Sequence, residues 1–513
     1  MADPPRVFDV CVIGSGAAGG VMAKELAESG AKVALVEAGQ RMAPEDFHYN
    51  AWPYELPRPP KPRAYYPQEF SSAIRYDDSD AIQVDRVRAV GGRTIHWNAV
   101  SLRFAARDFR ERSLEGVEED WPVSYEELAP YYSYVEKMIG VTGTREGLEI
   151  VPDGEYLRPL NLRCSERILQ RACNKMGIPL IPARKAVLTE PHEGRPPCHY
   201  CGRCMQGCDV GAVFSTPTAM FPKAEKTGNF TLFSEKMARE ILVDQEGRPR
   251  AVSVIDTRTR REEEIRARIF VVSCATVESA RLLLNSRSRQ HPNGLANSSD
   301  CVGRYFTGHT GVGVFGYLEE LIGTPPVNND GATDHSYIPH FNMNASPKKY
   351  VGGYHYQMQF VGFMYPHLAR YIKGFGQPFK EKVRTYQPGF FQMSGFGKVM
   401  AQRQNRITVD PKQPDAYGVP IPVVHFRFCE NDLAIWRDMR EKAKEILHTA
   451  GSRMIVDDNP EPQGFASHES GTARMGNDPR TSVLNAHCQA HDVKNLFVVD
   501  GSPFTTFPEK TPH

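Results

Sequence analysis

Residues 8–13 (FDVCVI) form a short, nearly unbroken apolar run with β-branched side chains, the pattern of a strand buried on both faces of a parallel sheet. It runs into GSGAAG at 14–19. A helix-like stretch follows over 21–28, then Gly30 as a stop, then a second apolar run at 32–36. The chain therefore opens as strand, turn, helix and strand. Far downstream, residues 269–286 (IFVVSCATVESARLLLNS) pass from a continuous apolar run into helical spacing, which predicts another strand entering a helix. Residues 350–365 (YVGGYHYQMQFVGFMY) alternate aromatic and β-forming residues with polar ones, as strands do. Their aromatics suit core packing better than stacking on a sugar. The pattern is of the α/β class, α+β overall.

The first turn carries chemistry. Gly14, Gly16 and Gly19 stand at the G-x-G-x-x-G positions between a strand and a helix, and Glu37 ends the second strand. Such glycines permit a tight turn and close approach of backbone to a pyrophosphate at a helix N-terminus, while the acid accepts from a ribose diol. The register of strand, glycines, helix, strand and acid predicts a dinucleotide site. It does not separate NAD from FAD.

With 513 residues the chain is too long for one simple core, and two interleaved domains are expected. Formal charge is +1, from 62 basic and 61 acidic residues, so no general field draws nucleic acid or an anionic membrane. No apolar run approaches the roughly 18 residues of a membrane helix, and MADPPRVFDV shows no signal-peptide pattern. Seven of the 11 cysteines are scattered singly, which argues against a secreted disulfide scaffold.

The other four are Cys198, Cys201, Cys204 and Cys208, in CHYCGRCMQGC. Their C-x2-C-x2-C-x3-C spacing matches the bacterial ferredoxin run, with Asp209 where ferredoxins have proline. Zinc sites generally use two separated knuckles, and disulfides between such near neighbours would close tiny loops and stabilise little. An iron–sulfur cluster of the [3Fe–4S] or [4Fe–4S] type fits the spacing best; zinc, structural thiols and disulfides stay open.

Residues 88–104 read RAVGGRTIHWNAVSLRF. Gly91 and Gly92 let backbone approach a flat ligand, and Thr94, His96 and Asn98 bring polar groups beside Trp97. This loop resembles that of the glucose–methanol–choline (GMC) oxidoreductases, FAD enzymes that oxidise alcohols. The segments at 120–141, 269–286, 301–314, 405–411, 468–476 (HESGTARMG) and 495–508 (NLFVVDGSPFTTFP) are similar in the same order. The resemblance implies a Rossmann-like FAD-binding domain over 1–312 with a cysteine-rich insertion at about 190–215. A sheet-based substrate domain over 313–465 and a return to the FAD domain over 466–513 complete it. It also implies that the loop lies on the flavin, with His96 either bonded covalently to it or packed over it.

Oxidising an alcohol with a flavin moves hydride from carbon to flavin N5 while a base takes the hydroxyl proton, and histidine suits that task. By resemblance His468 is the base, and His513 matches the second catalytic residue, though relatives continue from there into a further helix. Asp500 and Gly501 match residues near the flavin phosphates and ribityl chain. His309, in TGHTG, could approach the site too, but a surface or structural role suits it better.

A bacterial branch of the family, the catalytic subunits of FAD-dependent sugar dehydrogenase complexes, carries a cysteine-rich insertion at the same place with a [3Fe–4S] cluster. That likeness implies a dehydrogenase acting on a sugar or glycoside, passing electrons through the cluster to a cytochrome c. A small companion subunit would carry the export signal to the periplasm; a cytoplasmic enzyme is the alternative. An O2-using oxidase of the same fold, with zinc-binding or structural cysteines, is the second expectation. A non-catalytic electron-transfer subunit is the third.

Overall fold

The computed structural model describes residues 6–42, 46–47, 65–66, 74–77, 79–80, 82–84, 86–202, 204, 207–325, 336–339, 341, 348–358, 364, 366–458 and 460–511. The opening pattern folds as read. Strand β1 (Val7–Ile13) leads into helix α1 (Ala17–Glu28) and strand β2 (Val33–Val36). Along β1, Phe8, Cys11 and Ile13 enter one hydrophobic cluster while Val10 and Val12 enter another. The strand is thus buried on both faces, as a parallel sheet between layers requires.

Strands β3 (Phe230–Phe233), β4 (Lys236–Val243), β5 (Pro249–Asp256) and β6 (Glu262–Val272) complete the first sheet with Leu496–Val498. Its order is β3-β2-β1-β6-β5-β4, and Leu496–Val498 pairs with β6. The pairs β3·β2, β2·β1, β1·β6 and β6 with Leu496–Val498 are parallel; β6·β5 and β5·β4 are antiparallel. The apolar run at 269–272 ends β6, and helix α2 (Thr276–Asn285) follows directly. The C-terminal ends of β1 and β6 and the N-termini of α1 and α2 therefore gather at one edge. Open parallel sheets bind ligands at such an edge.

A second, eight-stranded sheet is built around the long strand β7 (Thr307–Leu318). Strand β8 (Phe390–Lys398) pairs along one side of it, and β9 (Gln463–Ser470) along the other. The sheet also takes in Tyr354–Gln357 from the predicted β-rich stretch; residues 359–363 and 365 lie outside the described residues. Ile82–Gln83 and Ile181–Pro182, from far upstream, pair onto its two ends. Helix α3 (Glu430–Thr449) covers one face with Ile435, Met439 and Ile446. It comes close because Gly395 and Gly397 lie beneath it, where a Cβ would stand 2.6 Å from Met439 and Ile435 respectively. Among the described residues no helix is long and apolar enough to cross a membrane.

Candidate active site

A cavity of about 1410 Å3 opens at the edge where the two strand ends and two helix N-termini meet. Gly14, Gly16, Glu37, Gly92, Thr94, Asp500 and Gly501 line it; Gly19, Gly91, Asn98 and His96 do not. The glycines divide the work. A Cβ at Gly14 would stand 2.2 Å from the Ser273 carbonyl oxygen, and one at Gly19 would stand 2.0 Å from the Gly14 carbonyl oxygen. Those two serve the packing of turn, helix and sheet. A Cβ at Gly16, the N-cap of α1, would meet no protein atom within 4 Å. That open space at a helix N-terminus is where a pyrophosphate fits.

Ser15 joins the dinucleotide turn to the flavin-type loop. Its hydroxyl donates to Glu37 Oε2 at 2.6 Å and accepts from Gly91 N at 2.9 Å. Glu37 also accepts from Ser15 N at 3.2 Å and Gly39 N at 2.8 Å. Burial still holds the Glu37 carboxyl above its ordinary pKa. Thr94, while lining the cavity, also ties the loop to the protein. Its hydroxyl donates to the Gly91 carbonyl at 2.6 Å and accepts from Thr216 N at 3.2 Å, and Thr216 in turn donates to the Ser15 carbonyl. Trp97 anchors the loop through a 2.8 Å bond to the Phe214 carbonyl.

His96 is buried, with Phe47 edge-on to its ring at 5.8 Å. Neither of its ring nitrogens has a hydrogen-bond partner among the described residues. Burial pushes its pKa down to about 4. A buried polar ring without a hydrogen-bond partner among the described residues, on a loop touching the dinucleotide turn, suits contact with a bound flavin. With the open space at Gly16 and the placement of Glu37, the residues present fit FAD.

Asp500 accepts from Ser279 Oγ and from Ser502 N, and burial raises its pKa. Gly501 lets this segment lie against β9: a Cβ there would stand 2.7 Å from the Glu469 carbonyl oxygen. The same oxygen accepts from Thr276 Oγ1 at 2.9 Å, which fixes α2 to the strand that carries His468.

His468 and His309 are brought together, the less favoured of the two placements expected for His309. His309 is wholly buried on β7. The β7·β9 register shifts between Thr307, opposite Ser470, and His309, opposite Phe465. That irregularity bulges β9 and turns His468 toward its neighbour. The two Nδ1 atoms lie 3.0 Å apart, and His309 Nε2 lies 2.9 Å from the Pro508 carbonyl oxygen. His309 stacks on Phe507 with ring centres 4.5 Å apart, and burial pushes its pKa down to about 4. His513 lies outside the described residues. The sequence offers His309 only through its place in TGHTG; its pairing with His468 comes from the fold.

Among the described residues no disulfide joins any of the eleven cysteines. Cys204 is buried, with Cys198 and Cys208 packed against the cluster that holds it. That cluster contains Phe214, Trp97, Val135 and Ile139, which also line the cavity. A Cβ on Gly207 would stand 2.1 Å from the Phe47 ring, so the cysteine run reaches the neighbour of His96. The Cys198 thiol is pushed up to about 12, first by burial and then by the other three thiols. Among the described residues no three His, Cys, Asp or Glu side chains are grouped to hold a metal ion.

Comparison with known proteins agrees with this geometry. The chain matches the GMC oxidoreductase family in its N-terminal part over residues 8–311 and its C-terminal part over 401–513. It is 31% identical to 2-methyl-1,2-propanediol dehydrogenase of Mycolicibacterium austroafricanum, covering 97% of this chain and 91% of that protein. It is 28% identical to the fructose dehydrogenase large subunit of Gluconobacter japonicus, covering 98% and 94%. The fold superposes on the crystal structure of pyridoxine 4-oxidase from Mesorbium loti with a TM-score of 0.64 at 18% identity, over 98% of this chain and 96% of that one. The chain belongs to the GMC oxidoreductase family, FAD enzymes that oxidise the hydroxyl of an alcohol or a sugar.

Proposed function

We propose that this protein is a dehydrogenase that oxidises a hydroxyl of a sugar or glycoside, with His468 as the base. It delivers the electrons to a cytochrome-type acceptor rather than to O2. FAD, when bound, supplies the two-electron acceptor for the substrate. Glu37 and the turn at Gly14–Gly16 would hold its dinucleotide half, and the loop around Gly92 and His96 its ring. His468 would take the hydroxyl proton, and the buried wall of His309 and Phe507 behind it keeps water away from its inner edge.

The observation that carries the dehydrogenase reading is the cysteine run packed beside the cavity wall. Its four thiols stand at ferredoxin spacing, and we assign an iron–sulfur cluster to them. The likeness to the fructose dehydrogenase large subunit supports the sugar substrate. That relative is named as a subunit, which supports a small companion chain here. Co-export with it would bring the enzyme to the periplasm.

The test is an anaerobic screen of sugars, glycosides and simple alcohols for bleaching of the flavin, followed by reoxidation with O2, ferricyanide or a cytochrome c. Bleaching by sugars and fast reoxidation by ferricyanide and the cytochrome, with slow reoxidation by O2, is the expected result. Fast stoichiometric peroxide formation from an iron-free protein would instead establish the oxidase.

A further inference from the structure

We propose that His309 is a positioning residue: it fixes His468 in the tautomer that carries its proton on Nδ1, so that Nε2 is the nitrogen able to accept one. This rests on the reading of His468 as the base.

The argument runs from a backbone carbonyl. The Pro508 oxygen can only accept, so His309 Nε2, 2.9 Å away, must carry a hydrogen. His309 is wholly buried and burial keeps it neutral near pH 7, so it has a single N–H. Its Nδ1 therefore presents a lone pair. His468 Nδ1, 3.0 Å from that lone pair, must be the donor between the two rings. One carbonyl thus sets the protonation of both rings in series, and His309 decides which nitrogen of His468 is basic.

The support is rigid. His309 sits within β7, whose pairing with β8 runs unbroken from His309 to Tyr317. Phe507 stacks on one face of the ring at 4.5 Å with planes inclined by 15°. Phe396 touches both histidines, with ring centres 6.0 Å from His309 and 5.2 Å from His468. The donor and acceptor are therefore held in register before substrate arrives. When His468 takes a proton on Nε2, no proton needs to cross between the rings. The existing Nδ1–H bond strengthens because its donor has become charged.

Two variants and one spectrum test this. His309→Phe keeps a ring against Phe507 but offers no acceptor. His309→Asn can set an amide oxygen near the place of Nδ1. In FAD-loaded protein, anaerobic flavin reduction by substrate should slow by roughly 10–100-fold in His309→Phe and recover most of that loss in His309→Asn, given the cost of removing a tautomer-setting partner elsewhere. A wild-type rate in His309→Phe overturns the proposal. So does equal slowing in both variants, which would mark a packing role only. Independently of activity and of any variant's folding, long-range nitrogen–proton correlation on 15N-histidine-labelled wild-type enzyme should show His468 with a protonated Nδ1 and a bare Nε2; the opposite tautomer overturns the proposal. The base reading fails separately, through a near-normal rate in His468→Ala.

Discussion

Arg86 and Glu469 form an ion pair of 2.9 Å with their side chains 7% and 0% exposed. Arg93 joins it, its two terminal nitrogens reaching Glu469 Oε1 at 2.9 Å and Oε2 at 3.2 Å. Two guanidinium groups, one just before the flavin-type loop and one within it, thus converge on one buried carboxylate. That carboxylate follows His468 in β9 and lines the cavity. The arrangement ties the cofactor loop to the strand bearing the proposed base.

Glu469→Ala should therefore be costly out of proportion to its size. It leaves two guanidinium groups without that carboxylate, and breaking a buried pair by removing one partner costs about 3–5 kcal/mol. Urea unfolding of the variant should show that loss, and purified material should carry less FAD than the wild type. A loss below about 1 kcal/mol would mean that solvent already compensates the arginines.

Gly16 and Gly19 should separate cofactor binding from folding. At Gly16 the backbone has φ −64° and a Cβ enters open space, so Gly16→Ala should fold and melt normally while blocking the pyrophosphate. Overpacking of about 1–3 kcal/mol predicts an FAD affinity lower by roughly tenfold to a hundredfold. Gly19→Ala instead drives a Cβ to 2.0 Å from a backbone oxygen and should destabilise the chain itself. Fluorescence titration of FAD and melting of the flavin-free proteins distinguish the two. Normal FAD affinity in Gly16→Ala would remove the turn from the cofactor site.

The contrast between those glycines shows what the sequence could and could not convey. Strand, turn, helix and acid lie within the first forty residues, so local pattern alone specified β1, α1, β2 and the placing of Glu37. Thr94 reads as a cofactor-site residue and lines the cavity, but the tie its hydroxyl makes between Gly91 and Thr216 is set by where Thr216 folds back. His309 and His468 are 159 residues apart and meet only through a bulged strand pairing that no local window contains. Likewise Ile82–Gln83 and Ile181–Pro182 join the second sheet as two-residue strands, too short to leave a periodic trace. The cysteine spacing is legible, but the approach of the run to the flavin-type loop depends on the contact between Gly207 and Phe47.

The buried histidines make stability fall with acid. Burial pushes His309 down to about 4, and burial followed by His309 pushes His355 to about 3, whereas an unfolded histidine titrates near 6.5. Above pH 6.5 both states are neutral and the contribution is complete. As pH falls below 6.5 the unfolded chain takes protons that the fold refuses, so stability is lost until the folded groups protonate near pH 3–4. Each histidine contributes at most about 1.4 kcal/mol per pH unit in that window. Asp432, raised to about 6 by burial, works in the opposite sense, so the measurement is a difference between proteins. The stability gap between wild type and His355→Gln should move in the variant's favour by about 1 kcal/mol per unit from pH 6.5 to pH 4.5. A gap independent of pH would mean that His355 protonates freely in the fold.

The cysteine run gives the sharpest test of the electron route. Cys204 is buried in a cluster whose members Phe214 and Trp97 also form the cavity wall, and Gly207 abuts Phe47, which faces His96. A cluster assembled there would lie close to the flavin-type loop, whereas thiols kept for structure alone would leave electrons no exit by that side. Protein purified without oxygen should carry about three to four iron atoms and as much acid-labile sulfide per chain. The double variant Cys201→Ser, Cys204→Ser should lose the iron and sulfide. It should keep its FAD and its substrate-driven flavin bleaching, because neither residue lines the cavity. Reoxidation by ferricyanide or a cytochrome should then collapse. Retained FAD is checked first, since removing a buried thiol can also loosen the cluster around Phe214. One zinc and no iron in the wild type, or full acceptor activity in the double variant, would make the run structural.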